Sequence, residues 1–239
     1  MNPYEELQKN LPEIEAILGT SFQNKKLLIE AFTHSSFINE HKDLEIKHNE
    51  QLEFLGDSVF NLIISEYLLL NKPDLSEGEL SSLRSSIISA PSCLLFLQSI
   101  QVNQFLLVGK GEKLLSKTRK TSLFADLFEA LIGALFLDAG YEKTKQIFFS
   151  LFAKALQAKI DQPAVNAKAL LQEISQKTYH ELPSYTIISE EGPEHEKHFT
   201  VGAFVANRLL GQGFGRSKKE AQQEAAKKAL EQLKEEGEV

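Results

Sequence analysis

The sequence predicts an all-α N-terminal domain followed by a small α+β module, and three observations support this. From Glu5 to about Lys159, apolar residues recur at three- and four-residue spacing with few alternating runs, as in amphipathic helices. After residues 161–166 the pattern changes to one helix, three strand-like runs and a second helix. The order α-β-β-β-α within about 70 residues is typical of a compact α+β module.

The helices of the first domain are predicted from apolar spacing and from the residues that interrupt it. Turn-forming residues at 71–74, at Pro91 and at 139–140 mark these interruptions. Six helices are predicted, over residues 4–17, 24–32, 49–71, 79–99, 121–139 and 141–160. We therefore expect domain 1–160 to be helical, with little or no strand.

The second domain is predicted over residues 167–235, after a linker at 161–166 that contains Pro163. It starts with an amphipathic helix, which ends before Leu182 and Pro183. Ser217 has the residue type and position of an N-cap for an alanine-rich last helix. The strands are predicted at 184–189, 198–205 and 208–215.

Composition limits the class of protein. At 239 residues the chain can form one domain and a smaller module. A single cysteine, Cys93, excludes an intramolecular disulfide framework and indicates a reducing compartment. No secretory leader and no run of about 18 apolar residues is visible. We expect a cytoplasmic protein with no membrane partner. A net charge of −7 leaves only local basic clusters to meet a polyanion.

Two segments place carboxylates at helical spacing inside otherwise apolar sequence. Glu50, Glu53 and Asp57 fall at i, i+3 and i+7, so they share one face of a helix. Asp126 and Glu129 fall at i and i+3 on a second helix. Burying an ionised carboxylate without a partner is very costly, so a cationic partner is expected. The simplest such partner is a divalent metal ion held between the two helices by oxygen ligands.

A solvated helix face is the alternative explanation for any one of these carboxylates. This alternative weakens because the helix around Asp126 and Glu129 is apolar on every side, as buried helices are. Oxygen ligands favour Mg²⁺, for which Mn²⁺ can substitute, and the histidines show no zinc-binding spacing. Such a site suits hydrolysis of a phosphodiester bond, with no small-molecule cofactor required.

Residues 49–59 closely resemble the signature of the bacterial ribonuclease III family, whose members are double-strand-specific endoribonucleases. The second domain resembles a double-stranded RNA-binding domain, so the resemblance covers nearly the whole chain and both signatures occur in the family's order. In the first domain the similarity continues through residues 33–35, 77–80, 109–112, 120–122 and 125–140. In the second it is carried by residues 171–173, 192–195 and 218–221.

The resemblance implies a role for each acidic residue of the site. Asp57 and Glu129 match the pair most directly tied to catalysis in the family. Glu53, Asp126 and Glu129 match its metal ligands. All these positions are acidic in this chain, so the resemblance implies an active hydrolase that uses Mg²⁺.

Three further positions match family residues outside the metal site. Glu50 and Glu77 match acidic residues that act near the substrate. Phe54 matches an aromatic residue that packs across the two-fold interface of the family's homodimer, whereas an ordinary core phenylalanine is the alternative interpretation.

The resemblance also assigns the RNA contacts. Gln172 and Glu173 are expected to meet one minor groove of the duplex, and His195 the next. Lys218 and Lys219 would then face the phosphates between the two grooves. A second basic cluster precedes the second acidic helix, at Lys110, Lys113, Lys117, Arg119 and Lys120.

The function implied is cleavage of double-stranded RNA to 5′-phosphate and 3′-hydroxyl ends with short 3′ overhangs. Ribosomal RNA precursors, with some messenger and transfer RNA precursors, are the substrates that the family suggests. Two alternatives stay open at this point. One is a regulator that binds double-stranded RNA without cutting it, and the other is a metal-dependent phosphohydrolase of small molecules.

Overall fold

The computed structural model describes residues 2–111, 117–161, 167–192 and 197–237. The chain divides into two compact units, Met1–Ala164 and Val165–Val239, and each has its own hydrophobic core. The first unit is helical, and the second is a three-stranded antiparallel sheet with two helices. The predicted fold class is therefore confirmed. The exact domain limits stay predictions, and most of the expected linker lies outside the described residues.

The first unit contains seven α-helices and one short 3₁₀ helix, Val102–Phe105, among its described residues, and α3 was not predicted. At six residues α3 is too short for a periodic pattern to reveal it. His34 begins it, because its Nδ1 accepts a hydrogen bond from the Ser36 backbone N–H at 3.2 Å. The helices are α1 (Pro3–Leu18), α2 (Lys25–Ala31), α3 (Ser35–Glu40), α4 (Glu50–Asn71), α5 (Glu77–Ile87), α6 (Ala90–Ile100) and α7 (Lys117–Asp161).

The single helix predicted over 79–99 is wrong, because α5 and α6 are separate helices bent by 51°. Pro91 lies in the first turn of α6. Backbone N–H groups there have no acceptor within the helix, so the N–H that proline lacks is not needed. An interruption near Pro91 was predicted, but it begins a new helix.

Within the described ranges no single helix is long and apolar enough to span a membrane, and the bent pair α5–α6 meets that criterion by length and composition only.

The core of the first unit is built around stacked phenylalanines from α4, α6 and α7. Phe60 on α4, Phe96 on α6 and Phe128 on α7 are almost completely buried. Their ring centroids lie 5.1 to 6.1 Å apart, and Phe148 and Phe152 extend the cluster along α7. The chain of α7 breaks at Gly140, with φ 79°, and this returns the second part of the helix to the same core.

Helices α4 and α7 cross at unusually close range, because each has a glycine at the contact. A Cβ added to Gly56 would overlap the backbone carbonyl of Glu129, and one added to Gly133 would overlap that of Leu52. Each helix backbone therefore lies directly against the other. This crossing brings one turn of α4, containing Glu53, beside the turn of α7 that contains Asp126 and Glu129.

The second unit is a meander of three strands covered on one face by two helices. The elements are α8 (Ala167–Tyr179), β1 (Ser184–Glu191), β2 (His198–Val205), β3 (Arg208–Gly215) and α9 (Lys218–Glu235). The strand order is β1-β2-β3, all antiparallel, with irregularities between Ile187 and Ser189 and between Ala203 and Phe204. Predicted strands 198–205 and 208–215 match β2 and β3. Ser217 caps α9 as predicted, because its side chain accepts from the Glu220 N–H.

Small residues allow α9 to pack tightly on the sheet. The inward-facing residues of β3 include Gly211 and Gly213, where a Cβ would overlap backbone atoms of α9. On the helix side, Ala221, Ala225 and Ala229 recur at every fourth position and are completely buried. This packing leaves the polar face of α9 and its N-terminus toward solvent.

We expect Gly56→Ala to destabilise the first unit by about 3 kcal/mol, because α4 and α7 must separate to admit the added methyl group. Gly78→Ala on α5 is the matched control, since nothing lies within 4 Å of a Cβ built there. Thermal unfolding followed by far-ultraviolet circular dichroism measures both changes. A Gly56→Ala protein that unfolds at the wild-type temperature would contradict the close crossing.

Candidate functional site

Three carboxylates from two helices converge at the crossing of α4 and α7. Glu53, Asp126 and Glu129 each offer an oxygen atom, and these atoms all lie within 4.8 Å of one another. All three side chains are half-buried. The structure thus brings together the three residues that the resemblance implied as metal ligands.

Asp57 and Glu50 flank this cluster on α4. Asp57 lies one turn beyond Glu53 on the exposed side, and its Oδ1 accepts a hydrogen bond of 2.9 Å from Asn61 Nδ2. Although Asp57 is outside the group of three, its charge raises the pKa of Glu129, second only to burial. Glu50 is exposed in the first turn of α4, with its Oε2 3.7 Å from His48 Nδ1.

Glu77 and Phe54 are exposed residues outside the group of three carboxylates. Glu77 is exposed in the first turn of α5, and within the described part of the chain no hydrogen bond or ion pair connects it to the cluster. Phe54 is 80% exposed on α4, so it is not a core residue of this chain.

The electrostatics of the cluster favour either protonation or a bound cation. Burial, followed by the charge of Asp126, raises the pKa of Glu53 to about 7. Burial, followed by the charges of Asp57 and Glu53, raises the pKa of Glu129 to about 7. Near neutral pH the ionised forms are thus disfavoured unless positive charge meets them. An all-oxygen donor set on two rigid helices fits a hard divalent ion such as Mg²⁺ or Mn²⁺.

Sequence reasoning missed two residues beside this cluster. The Cys93 Sγ on α6 lies 3.9 Å from Glu129 Oε1, although the two residues are 36 positions apart. Burial, and next the charge of Glu129, raises the pKa of the Cys93 thiol, so the thiol stays protonated. Burial raises the pKa of Asp126, and the nearby His34 acts in the opposite direction. Residues 33–35 were noted only for their resemblance, and no local pattern linked Cys93 to the site.

In the second unit, α8 and α9 carry the predicted RNA-facing residues that the structure describes. Gln172 and Glu173 are exposed on α8. Gln172 and Lys219 line the same groove of about 450 Å³, together with Lys168. Lys218 is exposed at the start of α9, and its Nζ lies 3.5 Å from Glu190 Oε1.

Some predicted RNA contacts fall outside what the structure describes. His195 lies in the undescribed segment 193–196, and Lys113 lies in 112–116. Within the described part of the other basic cluster, Lys110, Arg119 and Lys120 are exposed. The described residues of the 110–120 cluster and the lysines at the start of α9 are thus on the surface, as a contact with phosphate requires.

Comparison with known proteins gives the same division of the chain. Residues 24–156 match the family model described as ribonuclease-III-like, and residues 167–233 match the double-stranded RNA binding motif. The chain is 45% identical over 233 residues to ribonuclease 3 of Protochlamydia amoebophila, covering 98% of this chain and 96% of that protein. It is 41% identical to ribonuclease 3 of Geobacillus thermodenitrificans, over 97% of this chain and 94% of the relative.

The structure is also similar to a solved nuclease domain. The nuclease domain of ribonuclease III from Campylobacter jejuni superimposes with a TM-score of 0.55 and 36% sequence identity, covering 61% of this chain and 97% of that domain. That structure is described as flexible in a region involved in dimer formation.

The raised pKa of Glu129 predicts a pH-dependent effect of neutralising this residue. A carboxylate whose pKa is raised from 4.5 to about 7 stabilises the fold while protonated, and this contribution is lost as pH rises through 7. In metal-free buffer we therefore expect Glu129→Gln to be more stable than the wild type at about pH 8. The difference should be on the order of 1 kcal/mol after allowance for solvent screening, and should vanish near pH 4.

Urea unfolding of both proteins across this pH range measures the effect. Glu13→Gln, at an exposed position of α1, is the control and should match the wild type throughout. Added Mg²⁺ should remove the advantage of Glu129→Gln, because the cation pairs with the wild-type carboxylate. If Glu129→Gln were more stable than the wild type by the same amount at all pH values, an electrostatic origin of the difference would be contradicted.

Proposed function

Because this chain belongs to the bacterial ribonuclease III family and is an endoribonuclease of double-stranded RNA, we propose that its hydrolytic centre is the carboxylate cluster at the α4–α7 crossing. Glu53, Asp126 and Glu129 would hold Mg²⁺ there, and Mn²⁺ could replace it. The observation that supports this proposal is the convergence of three half-buried carboxylate oxygens within 4.8 Å. A bound Mg²⁺ supplies Lewis-acid polarisation of the phosphate and acidification of water.

The remaining acidic residues have roles that follow from their positions. Asn61 holds one oxygen of Asp57, so the other oxygen can take a proton from the attacking water. Water adds to phosphorus as the bond to the 3′ oxygen breaks, and the 3′ oxygen takes up a proton from solvent, which leaves a 5′-phosphate and a 3′-hydroxyl. Glu50, at the exposed start of α4, would lie on the substrate side. Glu77 is proposed to act on the substrate side as well, from α5.

A homodimer is the form in which we propose that the nuclease acts. Phe54 is 80% exposed, and Leu62 and Leu69 on α4 are 54% and 64% exposed. These three residues share one face of the helix, and an exposed apolar stripe of this kind indicates a protein interface. A two-fold dimer would place one carboxylate cluster for each strand of the duplex, with short 3′ overhangs as the result.

Duplex binding is proposed for the outer side of α8 and the start of α9. Gln172 and Glu173 would hydrogen-bond in a minor groove, where RNA is recognised by shape and 2′-hydroxyl groups. Lys219 would contact phosphate beside them, because it lines the same groove as Gln172. Lys218 would exchange its exposed partner Glu190 for phosphate, since such surface pairs contribute little. His195, outside the described residues, keeps its predicted contact.

Precursors of ribosomal RNA, with some messenger and transfer RNA precursors, are the proposed cellular substrates, and a cytoplasmic location stays a prediction. The rival hypothesis of a regulator that does not cut RNA leaves the clustered carboxylates without a purpose. A phosphohydrolase of small molecules leaves the RNA-binding unit without one. Incubation of the protein with long duplex RNA, with and without Mg²⁺, separates the three hypotheses. Cleavage supports the nuclease, and a gel shift alone supports the regulator. Neither cleavage nor a shift supports the phosphohydrolase.

We expect Glu129→Gln to lower the cleavage rate in Mg²⁺ by at least about a thousandfold while leaving duplex affinity nearly unchanged. The substitution keeps the side-chain shape but removes the charge of a ligand, and Mg²⁺ tolerates poor coordination badly. Glu142→Gln, at an exposed position of α7, is the matched control and should cleave normally. Substantial cleavage by Glu129→Gln in Mg²⁺ would remove the metal role from this residue.

Lys219→Ala should weaken binding to every duplex alike, by roughly fivefold, and should reduce the salt slope by about one. Lys218→Ala should lower the duplex affinity by less, because Glu190 already neutralises part of the charge of Lys218. Lys227→Ala is the control, since Lys227 lies roughly 12 Å further along α9 than Lys219. Fluorescence anisotropy in the Glu129→Gln background avoids cleavage during the measurement. A loss confined to one RNA sequence, or an equal loss for Lys227→Ala, would contradict the phosphate assignment.

A further inference from the structure

Cys93 is the side chain of α6 that meets the carboxylate cluster from the protein interior. It is completely buried, on the face of α6 that also buries Phe96 and Leu97. Its Sγ lies 3.9 Å from Glu129 Oε1 and 3.6 Å from the backbone carbonyl oxygen of Ile88. The thiol therefore has two acceptors within reach and one hydrogen to donate.

The contact is with one of the two oxygens of Glu129. Oε1 is directed toward Cys93, on the interior side of α7. Glu129 also contributes one oxygen to the group shared with Glu53 and Asp126. A carboxylate on an otherwise apolar helix face would lose solvation on its inner side if no donor met it there. A thiol is a weak donor, but it offsets part of this loss and favours one orientation of the carboxylate.

We propose that Cys93 is a positioning residue for Glu129, which holds the carboxylate rotated so that it presents its ligand oxygen to the divalent ion. This inference rests on the proposed metal role of Glu129 and adds a residue from a third helix to the site. Loss of a hydrogen bond that orients a metal ligand typically lowers the metal affinity by about tenfold or more. Because a thiol bonds more weakly than an amide or carboxyl group, we expect a smaller effect.

The matched pair Cys93→Ser and Cys93→Ala separates positioning from packing. Both substitutions remove the sulfur atom and leave a gap of nearly the same size. They differ in the hydroxyl group of serine, which keeps a hydrogen-bond donor at the position of the thiol. Packing alone would therefore affect the two variants equally, and positioning would affect the alanine variant more.

The experiment measures Mn²⁺ binding to the full chain without RNA, by electron paramagnetic resonance of the free ion. We expect Cys93→Ala to raise the Mn²⁺ dissociation constant by roughly threefold to tenfold. Cys93→Ser should stay within about twofold of the wild type, while both variants lose thermal stability to the same extent. The half-saturating Mg²⁺ concentration for cleavage should follow the same order, with the KM for duplex RNA unchanged.

Equal Mn²⁺ affinities for the serine and alanine variants would overturn the inference and leave Cys93 as a packing residue. Glu129→Gln in the same assay tests the foundation independently. If that variant binds Mn²⁺ as the wild type does, the proposed metal role of Glu129 fails, and the positioning role fails with it. If it loses Mn²⁺ binding while both Cys93 variants bind normally, only the positioning role is overturned.

Discussion

The close crossing of α4 and α7 is the constraint on which the rest of the first unit depends. Glycine at positions 56 and 133 lets each helix backbone lie against carbonyl oxygens of the other, where a Cβ would overlap them. Side-chain direction on a helix follows from backbone position, so this contact also sets where Glu53 and Glu129 project. The carboxylates thus converge from two rigid helices, which hold a site more accurately than loops do.

The same crossing creates an electrostatic cost that the hydrophobic core has to offset. Glu53 and Glu129 both have a pKa of about 7, because burial and neighbouring carboxylates disfavour their charged forms. Rings such as Phe60, Phe96 and Phe128 pack behind them and hold the helices in place. Carboxylates destabilised in this way are typical of functional sites, where a ligand supplies the missing charge. The carboxylate cluster of this chain could hold a metal ion that supplies this charge.

The two units use different physical means toward one substrate. In the first, partly buried carboxylates converge where two helices cross. In the second, α9 packs on the sheet through Ala225 and Gly211, which leaves polar and basic side chains on the outer surface. The exposed positions of Gln172 and Lys219 suit recognition by shape, because 2′-hydroxyls and phosphates recur along any duplex. The net charge of −7 does not prevent this, since contact depends on local clusters.

The sequence by itself determined the fold class, the strand positions of the second unit and the identity of the acidic residues, because periodicity and residue type are local properties. It failed at 79–99, where Pro91 begins a new helix, since proline is compatible with both a kink and a first turn. The tertiary structure decided that Glu53 clusters with two residues of α7, in a group that does not include Glu77. It also placed Cys93 behind Glu129, because such contacts depend on how helices distant in sequence cross, which no local pattern encodes.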